Sequence, residues 1–108
     1  MITVKVWEHG VELSGHANSA TAGEDLVCAA ASGIWYAFSS TMNHDREHGW
    51  VKYTECEQPG YTRLTIQYAS PGKEERIQAH LDMLRCGFGL LAENYPENVR
   101  IKKAAGVD

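Results

Sequence analysis

At 108 residues the chain is sized for one domain, spanning 1–108, able to bury roughly two thirds of its unfolded surface, so neither a disulfide framework nor a structural metal is required to hold it. Hydrophobic residues make up 44% and charged residues 22%, the balance of a folded globular protein and not of a disordered chain. Fourteen acidic against ten basic residues, a formal charge of −4, exclude a broad basic surface, so no direct nucleic-acid partner is expected although Arg100, Lys102 and Lys103 form a local basic patch.

The opening "ITVKVW" alternates Ile2, Val4 and Val6 with Thr3, Lys5 and Trp7, the period of a half-buried strand. After "EHG" the alternation resumes in "VELSGH", with Val11 and Leu13 on one face and Glu12 and Ser14 on the other, which predicts a hairpin. In that phase His16 shares the face of Glu12 and Ser14, unless a bulge or a strand end at Gly15 re-aims it. From Asp25 to about Met42, Val27, Ala30, Ala31, Ile34, Phe38 and Met42 recur at three-and-four spacing and predict a first helix. "NHDREHG" reads as a polar connector, and "WVKYTECE" and "YTRLTIQYA" as a second hairpin turned at "QPG". A second helix opens at "SPGKEE", carries the stripe Ile77, Leu81, Leu84, Phe88, Leu91 and Tyr95, and stops at Pro96. Gly87 and Gly89 cost such a helix about 1 kcal/mol each against alanine, which points to close packing there. "NVRIKK" supplies a last strand. The order ββαββαβ predicts an α+β fold, a mostly antiparallel or mixed sheet with two helices on one face.

No basic stretch leads into an apolar one near the start, and no apolar run reaches the roughly 18 residues that cross a membrane, so a cytoplasmic protein with no membrane partner is expected. Three cysteines, Cys28, Cys56 and Cys86, without CxxC spacing suit reduced thiols. Cys86 reads as packed and Cys56 as partly exposed.

The segment "SGHANSATAGEDLVCAAASG" carries the chemistry. Unpaired amide hydrogens at a helix start stabilise an anion such as a thiolate. With Asp25 as N-cap, Cys28 stands in the first turn; with Thr21 as the cap of a "TAGE" capping box, Cys28 lies about two turns in. His16 can accept and return a proton, Ser32 shares the helical face of Cys28 at i+4, and the backbone amides around Val27 and Cys28 are candidate oxyanion donors. The small residues between the pair suit a lid. Spacing alone favours a buried structural Cys28, a surface His16 and a Ser32 bonded to its own helix. A zinc site from His44 and His48 with Cys56 or His9 needs the first helix to continue through "DRE"; beside Asn43 and Gly49 those residues read as solvated surface, and no metal is expected.

Taken together, "SGHA" followed by "GEDLVCAAAS" resembles the signature of the ribosomal-processing cysteine protease family, a GHA motif before GxDxVCAAxS, and "LLAENYPENVRI" and the chain length extend the resemblance over the whole sequence. The resemblance implies an endopeptidase with Cys28 as nucleophile and His16 as general base, supported by Asp25, Ser32 and Gly15. It implies a ribosomal protein precursor as peptide substrate, trimmed of a short N-terminal extension, with a phage structural precursor or a non-catalytic ribosome-associated module as alternatives. It also implies a homodimer, no metal or organic cofactor, and a loop mobile over the cleft formed by Ala17, Asn18, Ser19, Ala20, Thr21, Ala22, Gly23 and Glu24.

Overall fold

The computed structural model describes residues 1–15 and 22–103, with the backbone alone for 22–25 and 103. Its elements run β1 (Ile2–Trp7), β2 (Gly10–Ser14), α1 (Ala22–Glu47), β3 (Val51–Gln58), β4 (Tyr61–Ala69), α2 (Glu74–Asn94) and β5 (Val99–Lys103). This is the order expected.

The five strands form one mixed sheet in the order β3-β4-β2-β1-β5. Every neighbouring pair is antiparallel except β1 and β5, which run parallel because α2 carries the chain back before β5 begins. In β1 the alternation of the sequence becomes an alternation of burial: Ile2, Val4 and Val6 are buried and Thr3, Lys5 and Trp7 half-exposed. Registers then carry that phase across the sheet. Val4 faces Leu13 and Ile101, and Val11 faces Leu64, so one apolar face is continuous under the helices.

Helix α2 buries Ile77, Leu81, Leu84 and Phe88, with Leu91 and Tyr95 packed at the edge of the core. Glu74 and Glu75 in its first turn complement the positive end of the helix, and its end is closed by the Tyr95 amide on the Leu91 carbonyl just before Pro96. Helix α1 buries Val27, Ala31, Trp35, Phe38 and Met42, so Trp35 and not Ile34 supplies the middle of its stripe.

Both ends of α1 differ from the sequence expectation. It starts at Ala22, which makes Asp25 an interior residue and not the N-cap, and agrees with the frame in which Thr21 precedes the helix. A cap contributes about 1 kcal/mol, too little to outweigh additional turns of backbone hydrogen bonds. At the other end α1 continues through "NHDRE" to Glu47. That stretch is no solvated connector, because Asp45 is completely buried and anchored by residues of α2.

The helix glycines have separate roles. A Cβ on Gly87 would stand 3.2 Å from Ile34 Cγ2, so this residue lets α2 approach α1, whereas a Cβ on Gly89 would meet nothing within 4 Å. Cys86 is exposed, against the packed position expected of it, since it sits on the solvent side of α2; Cys56 is also exposed. Among the described residues no helix is long and apolar enough to cross a membrane.

Candidate active site

Cys28 lies in the second turn of α1, at the border of its buried stripe, and is half-buried. Four and eight residues further along the same face stand Ser32 and Tyr36, both exposed, while Ala31 and Trp35 turn into the core. This edge of α1 forms one wall of a cleft of about 300 Å3. Ile2, Leu13, Trp35 and Phe88 give it an apolar base, and the β3–β4 hairpin closes the opposite side with Glu57, Gln58, Gly60, Tyr61 and Thr62.

Gly15 completes the lining where β2 ends. Its φ of 96° lies in the left-handed region, a Cβ there would collide with the carbonyl oxygen of Met1, and its amide donates to the Gly60 carbonyl at 2.9 Å. Only glycine meets all three conditions. Backbone at this position is thereby tied both to the chain start and to the hairpin that forms the far wall.

Three of the residues singled out from sequence, Cys28, Ser32 and Gly15, are therefore brought to one cleft. His16 lies outside the described residues, as do residues 17–21 of the expected loop, and the side chain of Asp25 is likewise not described. Ala22, Gly23 and Glu24, assigned to that loop by resemblance, are the opening turn of α1, where the backbone hydrogen-bonding of a helix replaces that of a loop.

Two chemical expectations change with the helix start. The dipole of a helix acts within its first turn, so a cysteine one turn deeper receives less of it. The amides of Val27 and Cys28 are engaged by carbonyls four residues earlier and are not free to meet an oxyanion. Side-chain donors on the cleft wall remain, the Ser32 hydroxyl and the Gln58 amide among them. Tyr61 is committed elsewhere: its hydroxyl donates to Glu12 Oε1 at 2.8 Å, and this hydrogen bond, more than any other contact, raises the phenol above its ordinary value of 10.0. Glu12 is also paired with Lys5 and Arg63, each at 3.5 Å.

The hairpin wall was not legible in the sequence. Residues 57–62 reach the cleft because β4 pairs with β2, Ser14 against Tyr61, and no local pattern announces a pairing across more than forty residues. The zinc reading finds no support in the geometry. The rings of His44 and His48 lie tilted at 34° with centroids 4.3 Å apart, but no third ligand joins them among the described residues. No group of three metal-ligating side chains occurs among the described residues.

The fold is shared with proteins of known structure. The S. aureus ribosomal processing protease Prp in complex with a covalently linked product peptide superposes with a TM-score of 0.76 at 21% identity, covering 96% of this chain and 100% of that one. The same protease in complex with a substrate peptide gives 0.74 at 20% identity, with the same coverage. SMU.848 from Streptococcus mutans gives 0.72 at 28% identity, over 96% of each chain. No match to the chain was found among curated proteins. The family model described as Cysteine protease Prp matches residues 1–100, nearly the whole sequence. The chain is thus a member of the cysteine protease Prp family.

Proposed function

We propose that the chain is an endopeptidase that removes a short N-terminal extension from a large-subunit ribosomal protein precursor, with Cys28 as nucleophile and His16 as its proton partner. The observation that carries this reading is covalent as much as spatial: Gly15 lines the same cleft as Cys28, and His16 is the next residue in the chain. The imidazole accepts the thiol proton, and the thiolate sulfur bonds to the scissile carbonyl carbon. The Ser32 hydroxyl and Gln58 amide are the donors offered to the oxygen as it becomes charged. As the carbon–nitrogen bond breaks, the imidazolium returns its proton to the leaving amine, leaving a thioester on Cys28. Water, deprotonated by the imidazole, then attacks the thioester, releases the carboxylate and restores the thiol.

The relatives support the choice of substrate. The S. aureus protein is a ribosomal processing protease found with substrate and product peptides, and the apolar-based cleft of this chain suits an extended peptide. Asp25 and Gly15 act as positioning residues, Gly15 by directing the chain as it leaves β2. A cytoplasmic homodimer completes the proposal; the described surface that suits it is an apolar groove of about 590 Å3 between α1 and α2, lined by Ile34, Ala37 and the exposed Met83 among others. Sedimentation velocity checks the pairing.

The deciding experiment incubates wild type, Cys28→Ala and His16→Ala with the ribosomal precursor and weighs the product by mass spectrometry. A shortened precursor with wild type alone is the expected result. Cleavage that survives Cys28→Ala removes the nucleophile, and a precursor left intact by wild type removes the substrate.

A further inference from the structure

The cleft beside Cys28 contains a single charged side chain among its described residues, Glu57. We infer that Glu57 and the ring of Tyr36 form a subsite for a lysine or arginine side chain of the bound peptide, close to the bond that is cut. The inference rests on reading this cleft as the peptide-cleaving site, and it names one side chain that site selects.

The placement of Glu57 comes from the sheet. In the β3–β4 pairing Glu57 stands opposite Thr62, also a cleft residue, while the neighbouring pair Cys56 and Arg63 belongs to the other face, where Arg63 reaches Glu12. Glu55 is two residues back on the Glu57 face, in a separate depression that also contains Arg46. That depression therefore has a cation in its lining. Glu57 makes no ion pair or side-chain hydrogen bond, and no lysine or arginine lines its cleft, among the described residues.

Across the opening stands Tyr36, 64% exposed despite its aromatic ring. A carboxylate and an exposed aromatic ring lining one cleft can receive an ammonium or guanidinium group between them, by charge on one side and by the ring quadrupole on the other. An anionic or purely apolar side chain would leave the carboxylate desolvated without a partner. Because β3 is the edge strand of the sheet, its outer backbone is open along this wall, and an extended peptide lying beside it presents every second side chain to the Glu57 face. The formal charge of −4 also attracts a basic peptide from a distance.

A solvated charge that merely guards an edge strand would also be exposed, so the test must read selectivity. Short labelled peptides with an apolar centre and lysine, glutamine or glutamate at one flanking position are titrated by fluorescence anisotropy against Cys28→Ala protein, which needs no chemistry to bind. At one flanking position the lysine peptide should bind about three- to tenfold more tightly than the glutamine peptide, a preference that falls at high salt. Adding Glu57→Gln should level the two, Glu57→Lys should turn the preference toward glutamate, and Glu57→Asp should restore part of it. Tyr36→Leu should reduce the lysine preference while leaving its salt dependence. Equal binding of lysine and glutamine peptides at every position, a preference indifferent to Glu57→Lys, or no binding by protein shown to be folded by circular dichroism overturns the inference. Cleavage by Cys28→Ala in the precursor assay would instead sink the nucleophile assignment, so the two failures are read apart.

Discussion

Asp45 and Arg76 join the end of α1 to the first turns of α2 through a two-point ion pair, Nε to Oδ2 at 3.0 Å and Nη2 to Oδ1 at 3.1 Å. The carboxylate is completely buried and accepts two further hydrogen bonds, from His80 Nε2 at 2.8 Å and His44 Nδ1 at 2.9 Å. Since a carboxylate only accepts, these bonds assign the proton-bearing nitrogen of each ring. The same junction is covered by Trp50, whose amide donates to the Asp45 carbonyl at 2.9 Å and whose ring lies 4.0 Å from Lys73 Nζ and 5.0 Å from the Arg76 guanidinium carbon.

Replacing Asp45 by asparagine should therefore cost about 2–4 kcal/mol, because it removes the anion while Arg76 and His80 stay in place. Arg76 keeps 42% of its side chain in solvent, which limits the loss. Urea unfolding followed by tryptophan fluorescence measures it. Asp45→Asn as stable as wild type would show that the network contributes no net stability.

The same carboxylate should shape the acid limb of the stability curve. Burial alone would raise it, but the hydrogen bonds from Arg76, His44 and His80 outweigh burial and hold it far below its ordinary value of 3.8. A lowered folded-state pKa means that the stabilisation is complete above about pH 4 and is lost as the pH falls below it. The difference in unfolding free energy between wild type and Asp45→Asn should accordingly be constant near neutrality and shrink on acidification below about pH 4. A difference that does not change over that range would contradict the assignment.

Gly89→Ala should raise stability by about 0.5–1 kcal/mol, since the helix gains propensity and the new methyl group meets open space. Gly87→Ala should gain less or lose, because its methyl group would crowd Ile34 at 3.2–3.4 Å. Thermal melts of the two variants side by side test the distinction, and equal gains would remove the close-approach role of Gly87.

Gly15→Ala combines a left-handed backbone with a collision against the Met1 carbonyl, so a loss of about 1–3 kcal/mol is expected. Cleavage should fall further than stability, because the end of β2 that leads to His16 would have to move. Normal turnover at temperatures where the variant is fully folded would detach Gly15 from the site.

Periodic features were readable because they repeat within a few residues. The alternation of β1 and the stripe of α2 each express one buried face, and water exclusion from that face is all the pattern needs. The limits of α1 were not readable for the opposite reason. Its first turn is decided by small local preferences, and its last turn by Arg76 and His80, 31 and 35 residues beyond the Asp45 they anchor. Polar "NHDREH" looks solvated until those partners are known. Likewise Cys28, Gly15 and Ser32 stood out by motif, whereas Glu57 and Gln58 gained meaning only when β3 and α1 were set side by side.

For this protein the linear chain determined the order of its elements, the motif around Cys28 and the covalent adjacency of Gly15 to His16, all consequences of short-range chemistry. Tertiary structure decided what surrounds the thiol. The cleft wall opposite Cys28 belongs to a hairpin whose position follows from the pairing of β2 with β4, and hydrogen bonds between strands far apart in sequence depend on the joint burial of a whole sheet face.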